Sequence, residues 1–495
     1  MPINPSNMRV VDVTRLLNST SFGFVLAQAR LYREFNRVGF RIGSSENPRN
    51  INLLKYIAWM FDRKHTPEET SGARSYEDRR NAERDRQAEQ SLAGRDIGQL
   101  PEVVNPDRKA ACERNFQLFC ESYFPETYAL AWSPDHLKVI EKIETAVLRG
   151  GLFALALPRG SGKTTITESA ALWSMLYGHR EFVVLIGATE SAALELLDSL
   201  KTELEVNERL AEDFPEVCYP VAQLEGIANR CAGQLYKGER TRITWTSNEI
   251  VLPTVEGSRA SGIIVRVAGI TGRIRGMKFK RSDGRSVRPS LVIIDDPQTS
   301  ESAGSLEQTS KRVRVLAGDI LGLAGPGQKI SGIMPCTIIR PGDMADIILN
   351  RNTHPDWNGE KTRMVYRFPT NMKLWEEYAE IRAEALRTEG NFQKATEFYL
   401  ANREAMDAGA EVSWEARFNH DEVSALQHAM NLKFQDEAAF MSEYQNDPLP
   451  DDTADDSLLS VDEICAKING LARRRVPLKC DRLTMFVDVV RQEVA

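Results

Sequence analysis

One segment of the chain carries the clearest indication of a fold: Leu152-Phe-Ala-Leu-Ala-Leu-Pro158-Arg159-Gly160-Ser161-Gly162-Lys163-Thr164-Thr165. Its apolar first half leads into a short segment with two glycines, and a mostly apolar segment, residues 166–177, follows Thr165. This order predicts a buried strand, a tight loop and a helix, which is the arrangement of a phosphate-binding loop. Residues 158–165 are called the glycine loop below.

The residue types of the glycine loop suit a nucleoside triphosphate. Glycines let backbone N–H groups point at phosphate oxygens, and the helix N-terminus adds a partial positive charge. Lys163 would reach the β- and γ-phosphates, and the Thr164 hydroxyl would ligate Mg²⁺. We therefore expect ATP and Mg²⁺ as cofactors. The candidate nucleotide-binding residues are Gly160, Ser161, Gly162, Lys163, Thr164 and Thr165. The usual pattern has a glycine where this chain has Leu157, and the alternative is a chance Gly/Ser loop before a helix.

Two carboxylates follow a second apolar run, Leu291-Val-Ile-Ile-Asp295-Asp296-Pro297. A strand of this kind ends with both acids at its carboxyl edge, where α/β folds bind ligands. Asp295 is expected to hold Mg²⁺, and Asp296 to position and deprotonate the attacking water. Glu301 is the alternative base, and a strand-terminating turn is the alternative without chemistry.

A third strand is predicted to end at Thr337, a position that could sense the γ-phosphate. As a lone threonine, Thr337 could equally be structural. The candidate catalytic residues are therefore Lys163, Asp296, Arg159 and Thr337. The candidate metal ligands are Thr164, Asp295 and Asp488.

The fold class expected from these segments is α/β, with a mostly parallel sheet flanked by helices, as in P-loop NTPases of the ASCE type. Residues 182–187 form a second unbroken apolar strand, and residues 191–206 an amphipathic helix, so strands and helices alternate. Short alternating segments within residues 240–268 predict antiparallel hairpin strands added to the sheet.

The chain divides into five predicted regions. Residues 1–65 are predicted to form a small helical domain with helices near 10–17, 22–35 and 50–61, which is either a helix-turn-helix DNA-recognition domain or a protein-docking domain. Residues 66–104 are a charged linker or exposed helix. Residues 105–447 are the ATPase domain with a helical subdomain over 373–447. Residues 448–482 are a linker, and 483–495 form an apolar strand carrying Asp488.

Composition limits the function classes. The 495 residues carry a net charge of −7, so the chain is not a uniformly basic nucleic-acid binder. Residues 259–288 nevertheless hold nine Arg or Lys and one acid, a formal charge of +8, and are a candidate DNA-backbone contact. The alternatives are a solvated loop, or an arginine, Arg273 or Arg275, that reaches a neighbouring subunit's ATP. No apolar run is long enough for a membrane span, and the seven cysteines form no CxxC pair, so a cytoplasmic protein without a zinc site is expected.

These motifs together resemble the large terminase subunit of tailed bacteriophages. The resemblance covers about residues 105–490 and is carried by the glycine loop, residues 291–297, the strand ending at Thr337 and Phe-Val-Asp-Val at 486–489. The segments Tyr123-Phe-Pro to Trp132-Ser-Pro-Asp-His136 and Glu443-Tyr-Gln-Asn to Pro448 are also similar to that family.

The resemblance implies a motor that hydrolyses ATP to move double-stranded DNA through a portal protein into a viral capsid. Its partners would be DNA, the portal protein and a small terminase subunit, and several copies of the chain would form a homo-oligomeric ring. By position, residues near His136 would contact adenine. The family's RNase H-like nuclease would be present only as its first strand, with Asp488 as its first metal ligand. One acid cannot make a two-metal site, so nuclease activity is not expected.

Two other functions stay open on the sequence. One is a helicase-like or defence-associated DNA-dependent ATPase that uses the same core. The other is an ATP-gated scaffold that binds DNA and partners without sustained turnover. The paired aspartates and the basic stretch favour turnover on DNA over scaffolding.

Overall fold

The computed structural model describes residues 4–19, 27–65, 95–281 and 283–450. The chain separates into two compact units, residues 1–90 and 91–495. The predicted linkers, for the most part, and the predicted strand with Asp488 lie outside the described residues.

The described part of the first unit contains three helices, Val10–Asn18, Gln28–Ile42 and Leu53–His65. The sequence predicts the second helix over residues 22–35, but it begins at Gln28 and continues seven residues beyond the predicted end, while residues 20–26 lie outside the described part. A small apolar core joins the helices, and its buried members are Met8, Val10, Val13, Leu31, Ile42, Ile51 and Tyr56.

The second unit is built on strands that are numbered in chain order. They are β1 Leu152–Ala156, β2 Phe182–Gly187, β3 Leu235–Tyr236, β4 Glu239–Arg240, β5 Thr244–Trp245, β6 Glu249–Val251, β7 Ile264–Gly269, β8 Phe279–Lys280, β9 Ser286–Val287, β10 Leu291–Asp295, β11 Ser331–Cys336, β12 Glu360–Lys361, β13 Val365–Arg367 and β14 Glu411–Val412.

Eight of these strands form the central sheet, in the order β12-β1-β11-β10-β2-β7-β6-β5. The first six are parallel, and β6 and β5 add an antiparallel hairpin at one end. The expected mostly parallel sheet is confirmed. The predicted antiparallel pairing within residues 240–268 is confirmed for β5 with β6 and for β6 with β7, but β7 also pairs parallel with β2 and so belongs to the parallel part of the sheet as well. The remaining short strands pair as β3-β4, β8-β9 and β13-β14.

Both faces of the sheet are covered, which explains the unbroken apolar runs. Along β2, Val183 and Leu185 belong to the core on one face, whereas Val184 and Ile186 belong to the core on the other. Because side chains alternate across a strand, a strand that is buried on both sides needs apolar residues at every position.

Helices surround the sheet, and a further helical region follows it. The helices before and among the strands are Pro106–Cys112, Phe116–Tyr123, Pro134–Leu148, Lys163–Leu176, Glu190–Val206, Glu208–Asp213, Pro215–Ala222, Ser300–Ala303, Leu306–Val315 and Met344–Leu349. The helical region has its own core around Trp375, Tyr378 and Tyr399. Its helices are Met372–Glu389, Gln393–Asp407, Ala425–Gln435 and Glu437–Ala439, and the last runs into a π-helical turn, Phe440–Tyr444.

Candidate functional site

The glycine loop joins β1 to the helix Lys163–Leu176, as the apolar-to-polar change in sequence predicts. Gly160 and Gly162 have φ values of 73° and 75°, a left-handed conformation that favours glycine. A side chain at Gly162 would meet no other atom within 4 Å, so the loop is open on that side. The Ser161 hydroxyl is buried and has no hydrogen-bond partner in the described part of the chain. A loop that is open on one side and has an unpaired hydroxyl fits an anionic ligand.

Three strands bring the predicted chemical groups to one edge of the sheet. Strand β11 lies between β1 and β10, and all three are parallel, so their carboxyl ends lie side by side. The glycine loop follows β1, Asp295 and Asp296 stand at the end of β10, and Thr337 directly follows β11. Parallel α/β sheets bind ligands at this edge.

The side chains at this edge contact one another directly. The Lys163 ammonium lies 2.9 Å from an Asp296 carboxylate oxygen and also donates to the Thr337 hydroxyl. The Thr164 hydroxyl lies 3.0 Å and 3.3 Å from the two Asp295 oxygens. The Thr337 hydroxyl is 3.5 Å from Asp296. Five residues that the sequence indicates in three separate segments therefore form one cluster.

The two carboxylates of the cluster differ in environment. Burial, reinforced by the adjacent charge of Asp296, raises the pKa of Asp295 from 3.8 to about 6. The hydrogen bond from Thr164 and the charge of Lys163 act in the opposite direction and do not cancel the effect of burial. A charged carboxylate in a poorly solvated position is stabilised more by a nearby cation than an exposed carboxylate is.

Asp296 has an unusual backbone conformation. Its φ is 37°, in the left-handed region that few residues other than glycine, Asn and Asp adopt, and its N–H donates to the Pro335 carbonyl at 3.1 Å. The turn directs the carboxylate to Lys163, although its side chain remains 43% exposed. Strained conformations of this kind persist where surrounding contacts enforce them, often at functional sites. Glu301, the alternative base, lies on the short helix Ser300–Ala303 with an exposed side chain.

The loop that carries Thr337 is fixed by a buried polar network. The Gln298 amide donates to the Thr337 carbonyl at 3.3 Å and to an Asp343 carboxylate oxygen at 2.6 Å. That same Asp343 oxygen accepts from the N–H groups of Ile339 and Arg340. The network ties the loop after β11 to the loop after β10. The Thr337 hydroxyl is thereby held close to Lys163 and Asp296.

His136 supports the glycine loop from the side of the preceding helix. Ser133 caps the helix Pro134–Leu148, and the imidazole Nδ1 accepts from the Ser133 N–H while Nε2 donates to the Ser161 carbonyl at 3.0 Å. Burial lowers the pKa of His136, and the charge of Arg417 acts in the same direction. The residue expected near adenine is therefore buried and bonded to the loop backbone. Beside it, Trp132, Trp414 and Tyr366 help line a cleft of about 500 Å³ that is open to solvent.

Arg159 lies at the start of the glycine loop with an exposed side chain. Its N–H donates to the Glu443 carbonyl at 2.7 Å, and its guanidinium is 3.6 Å from the Glu443 carboxylate. Three residues later, the Asn446 side chain accepts from the N–H of Ile338, the residue after Thr337, at 3.1 Å. Residues 443–446 thus contact both the glycine loop and the strand end that carries Thr337. We call them the exit segment.

No protein-family model matches this chain, and no curated protein matches its sequence.

Two side chains of the cluster carry oxygen donors that could hold Mg²⁺. Among the described residues, no group of three or more His, Cys, Asp or Glu side chains could hold a metal ion by itself. Mg²⁺ in nucleotide sites is usually bound by one or two protein oxygens, substrate phosphates and water. The Thr164 hydroxyl and the Asp295 carboxylate fit that pattern. The third candidate metal ligand, Asp488, lies outside the described residues. Thr165, a candidate nucleotide-binding residue, accepts a hydrogen bond at its carbonyl from the Tyr128 hydroxyl at 3.1 Å.

The basic stretch 259–288 carries less free charge than its composition indicates. Five of its arginines form ion pairs, which are Arg259–Glu113, Arg266–Glu249, Arg275–Asp319, Arg281–Glu181 and Arg285–Asp283. In the described part of the chain, no carboxylate lies within ion-pair distance of the exposed side chains of Arg273, Lys278, Lys280 and Arg288. These four are the residues of the stretch that remain available to a polyanion.

Within the described residues, no helix is both long enough and apolar enough to cross a membrane.

Two residues near the cluster, Arg417 and Gln298, could not be identified from a sequence pattern. Both lie in polar loops, and their positions depend on contacts between distant segments. Glu168 had a signal that was missed, because it follows Thr164 by one helical turn and therefore lies on the same face of the helix. Burial, with a contribution from Asp295, raises the pKa of Glu168 to about 7.

Proposed function

We propose that this chain is an ATP hydrolase with a P-loop of the ASCE type, and that it drives translocation of double-stranded DNA during viral genome packaging, as a large terminase subunit does. The observation that supports the ATPase proposal most directly is the contact of Lys163 and Thr164 with the acids and the threonine at two other strand ends. DNA, a portal protein and a small terminase subunit as partners, and a ring of copies, follow from the motif resemblance alone.

Each residue of the cluster has a role in this proposal. The glycine loop would bind the phosphates through its N–H groups and the helix N-terminus. Lys163 would exchange its contact with Asp296 for the β- and γ-phosphates. Asp296 would then be free to orient and deprotonate water. Mg²⁺, held by Thr164 and Asp295, would neutralise charge that develops on the phosphates.

Thr337 would report whether the γ-phosphate is present. Its hydroxyl contacts both Lys163 and Asp296, so a change in either contact reaches the loop after β11. Arg159 is exposed at the start of the loop and has one long ion pair, which leaves its guanidinium able to turn toward a phosphate. Transfer of a phosphoryl group depends mainly on such positioned positive charge.

The experiment that tests the proposal is ATP turnover with and without duplex DNA, over a range of protein concentrations. We expect Mg²⁺-dependent hydrolysis that DNA stimulates, and its loss in Lys163→Ala. Lys394→Ala is the matched control, since Lys394 is an exposed lysine that pairs with Glu389 in the helical region. If hydrolysis persists in Lys163→Ala, the glycine loop is not the site of the reaction. Turnover that duplex DNA leaves unchanged would count against a DNA motor.

A further inference from the structure

The loop formed by residues 414–417, which we call the clasp loop, reaches from the helical region to the glycine loop. At one end, the Trp414 indole N–H donates to the Ala131 carbonyl at 2.7 Å. The Trp414 and His136 rings pack edge to face, with their centres 4.6 Å apart. At the other end, the Arg417 guanidinium donates to the Arg159 carbonyl. The clasp loop therefore contacts both the glycine loop and the side chain that supports it.

Arg417 lies so close to the glycine loop that it leaves little room for a side chain at position 160. A side chain at Gly160 would begin 3.0 Å from a terminal guanidinium nitrogen of Arg417. On its other side, the guanidinium lies over the Tyr444 ring at 5.5 Å from the ring centre. The aromatic ring and the loop backbone together hold the guanidinium beside the start of the loop.

The charge of Arg417 differs from that of its neighbours because no acid balances it. Lys163 has Asp296 and Arg159 has Glu443, but no carboxylate of the described residues lies within ion-pair distance of Arg417. Burial lowers the pKa of Arg417, so its surroundings solvate the charge poorly. Arg417 is half-buried, and charges that are poorly solvated in proteins are normally paired with an opposite charge. An unbalanced cation of this kind beside an anion-binding loop indicates that its counter-charge arrives with a ligand.

We propose that Arg417 binds the polyphosphate of the nucleotide held by the glycine loop, and that the clasp loop thereby closes the helical region over the bound phosphates. This inference rests on the proposed nucleotide binding and adds a phosphate-binding residue to it. A guanidinium presents several donors in a fixed plane, so it can bond a phosphate oxygen while another N–H keeps the Arg159 carbonyl. A triphosphate carries more charge than a diphosphate, so ATP gains more from this contact than ADP.

The test measures binding, so that it does not depend on turnover. ATP, ADP and inorganic tripolyphosphate are titrated against the wild-type chain, Arg417→Gln, Arg417→Lys and the matched control Arg387→Gln, which alters an exposed arginine paired with Glu384. We expect Arg417→Gln to weaken the binding of ATP and tripolyphosphate by about tenfold or more, and the binding of ADP by less. Arg417→Lys should recover part of the lost affinity. Affinities for ATP and tripolyphosphate within about twofold of wild type in Arg417→Gln overturn the inference.

A measurement on the unmodified chain covers the case in which the variants do not fold. Hydrogen exchange of a peptide spanning residues 411–420 should slow when tripolyphosphate is added, because closure protects the clasp loop. Unchanged exchange at saturating tripolyphosphate overturns the inference. Failure of the wild-type chain to bind either ATP or tripolyphosphate would instead refute the proposed function, so the two failures are distinguishable.

Discussion

Asp295→Asn is expected to stabilise the ligand-free protein while abolishing its proposed chemistry. Asparagine has nearly the same shape as aspartate, and its amide oxygen can still accept the hydrogen bond from Thr164. The substitution removes a negative charge whose pKa burial raises from 3.8 to about 6. A residue kept for structure would give the opposite result, because its removal would cost stability.

The size of the effect follows from linkage between protonation and folding. A pKa that is higher in the folded chain means that the folded state binds protons more tightly than the unfolded state. Above about pH 6 the carboxylate must be charged in both states, and a pKa about two units higher in the folded chain then corresponds to a cost of ~3 kcal/mol. Asp295 is not fully enclosed, so water screens part of this cost, and we expect Asp295→Asn to gain between roughly 1 and 3 kcal/mol at pH 7.

The assay is urea unfolding without nucleotide or Mg²⁺, repeated from pH 7 to pH 4. As the pH falls through 6 the wild-type folded state takes up the proton, so the advantage of Asp295→Asn should shrink to about a third of its full value or less at pH 4, where the unfolded chain is still partly ionised. Asp296→Asn is the matched control and should show no gain, because Asp296 pairs with Lys163 at 2.9 Å. If Asp295→Asn instead lowered the free energy of unfolding at pH 7 by about 1 kcal/mol or more, the reasoning would be refuted.

Three further predictions concern the surroundings of the site. Thr337→Val should slow hydrolysis about tenfold in steady-state kinetics because it removes the hydrogen bonds to charged neighbours, whereas Thr337→Ser should stay near wild type; equal rates would leave the hydroxyl without a role. Burial lowers the pKa of His136, so the ring takes up a proton less readily in the folded chain than in the unfolded chain. The unfolding midpoint should therefore fall as the pH drops below about 6.5. That fall should be smaller in His136→Gln, and an unchanged pH dependence would assign it to other groups. Replacing Arg273, Lys278 and Lys280 by Gln should reduce the slope of log affinity for duplex DNA against log salt by about 0.9 for each phosphate that is no longer neutralised, and an unaltered slope would place the DNA elsewhere.

The sheet and the cluster could be predicted from the sequence because both depend on local patterns. An apolar run before residues 158–165, and another before Asp295 and Asp296, identify strands whose carboxyl ends meet at one edge once the sheet is parallel. The direction of β7 was not predictable in the same way. Alternating residues suit a strand of either direction, and its pairing with β2 depends on a long connection.

The supporting residues could not be predicted because their roles arise from contacts between distant segments. Arg417 is 258 positions from Arg159, whose carbonyl it binds. The free charge of the basic stretch could not be predicted for the same reason. Its composition is basic, but Arg259 and Arg266 are neutralised by acids that the sequence does not identify as partners.

The exit segment has a fixed length as a consequence of its two attachments. The Glu443 carbonyl accepts from Arg159, and three residues later the side chain of fully buried Asn446 accepts from Ile338. Removing or inserting one residue between them would shift one anchor by about 1.5 Å or more, which exceeds the tolerance of a hydrogen bond. Variation in chain length at the carboxyl edge of the sheet should therefore be accommodated before residue 443 or after residue 446, because residues 443–446 set the separation between the glycine loop and the loop after β11.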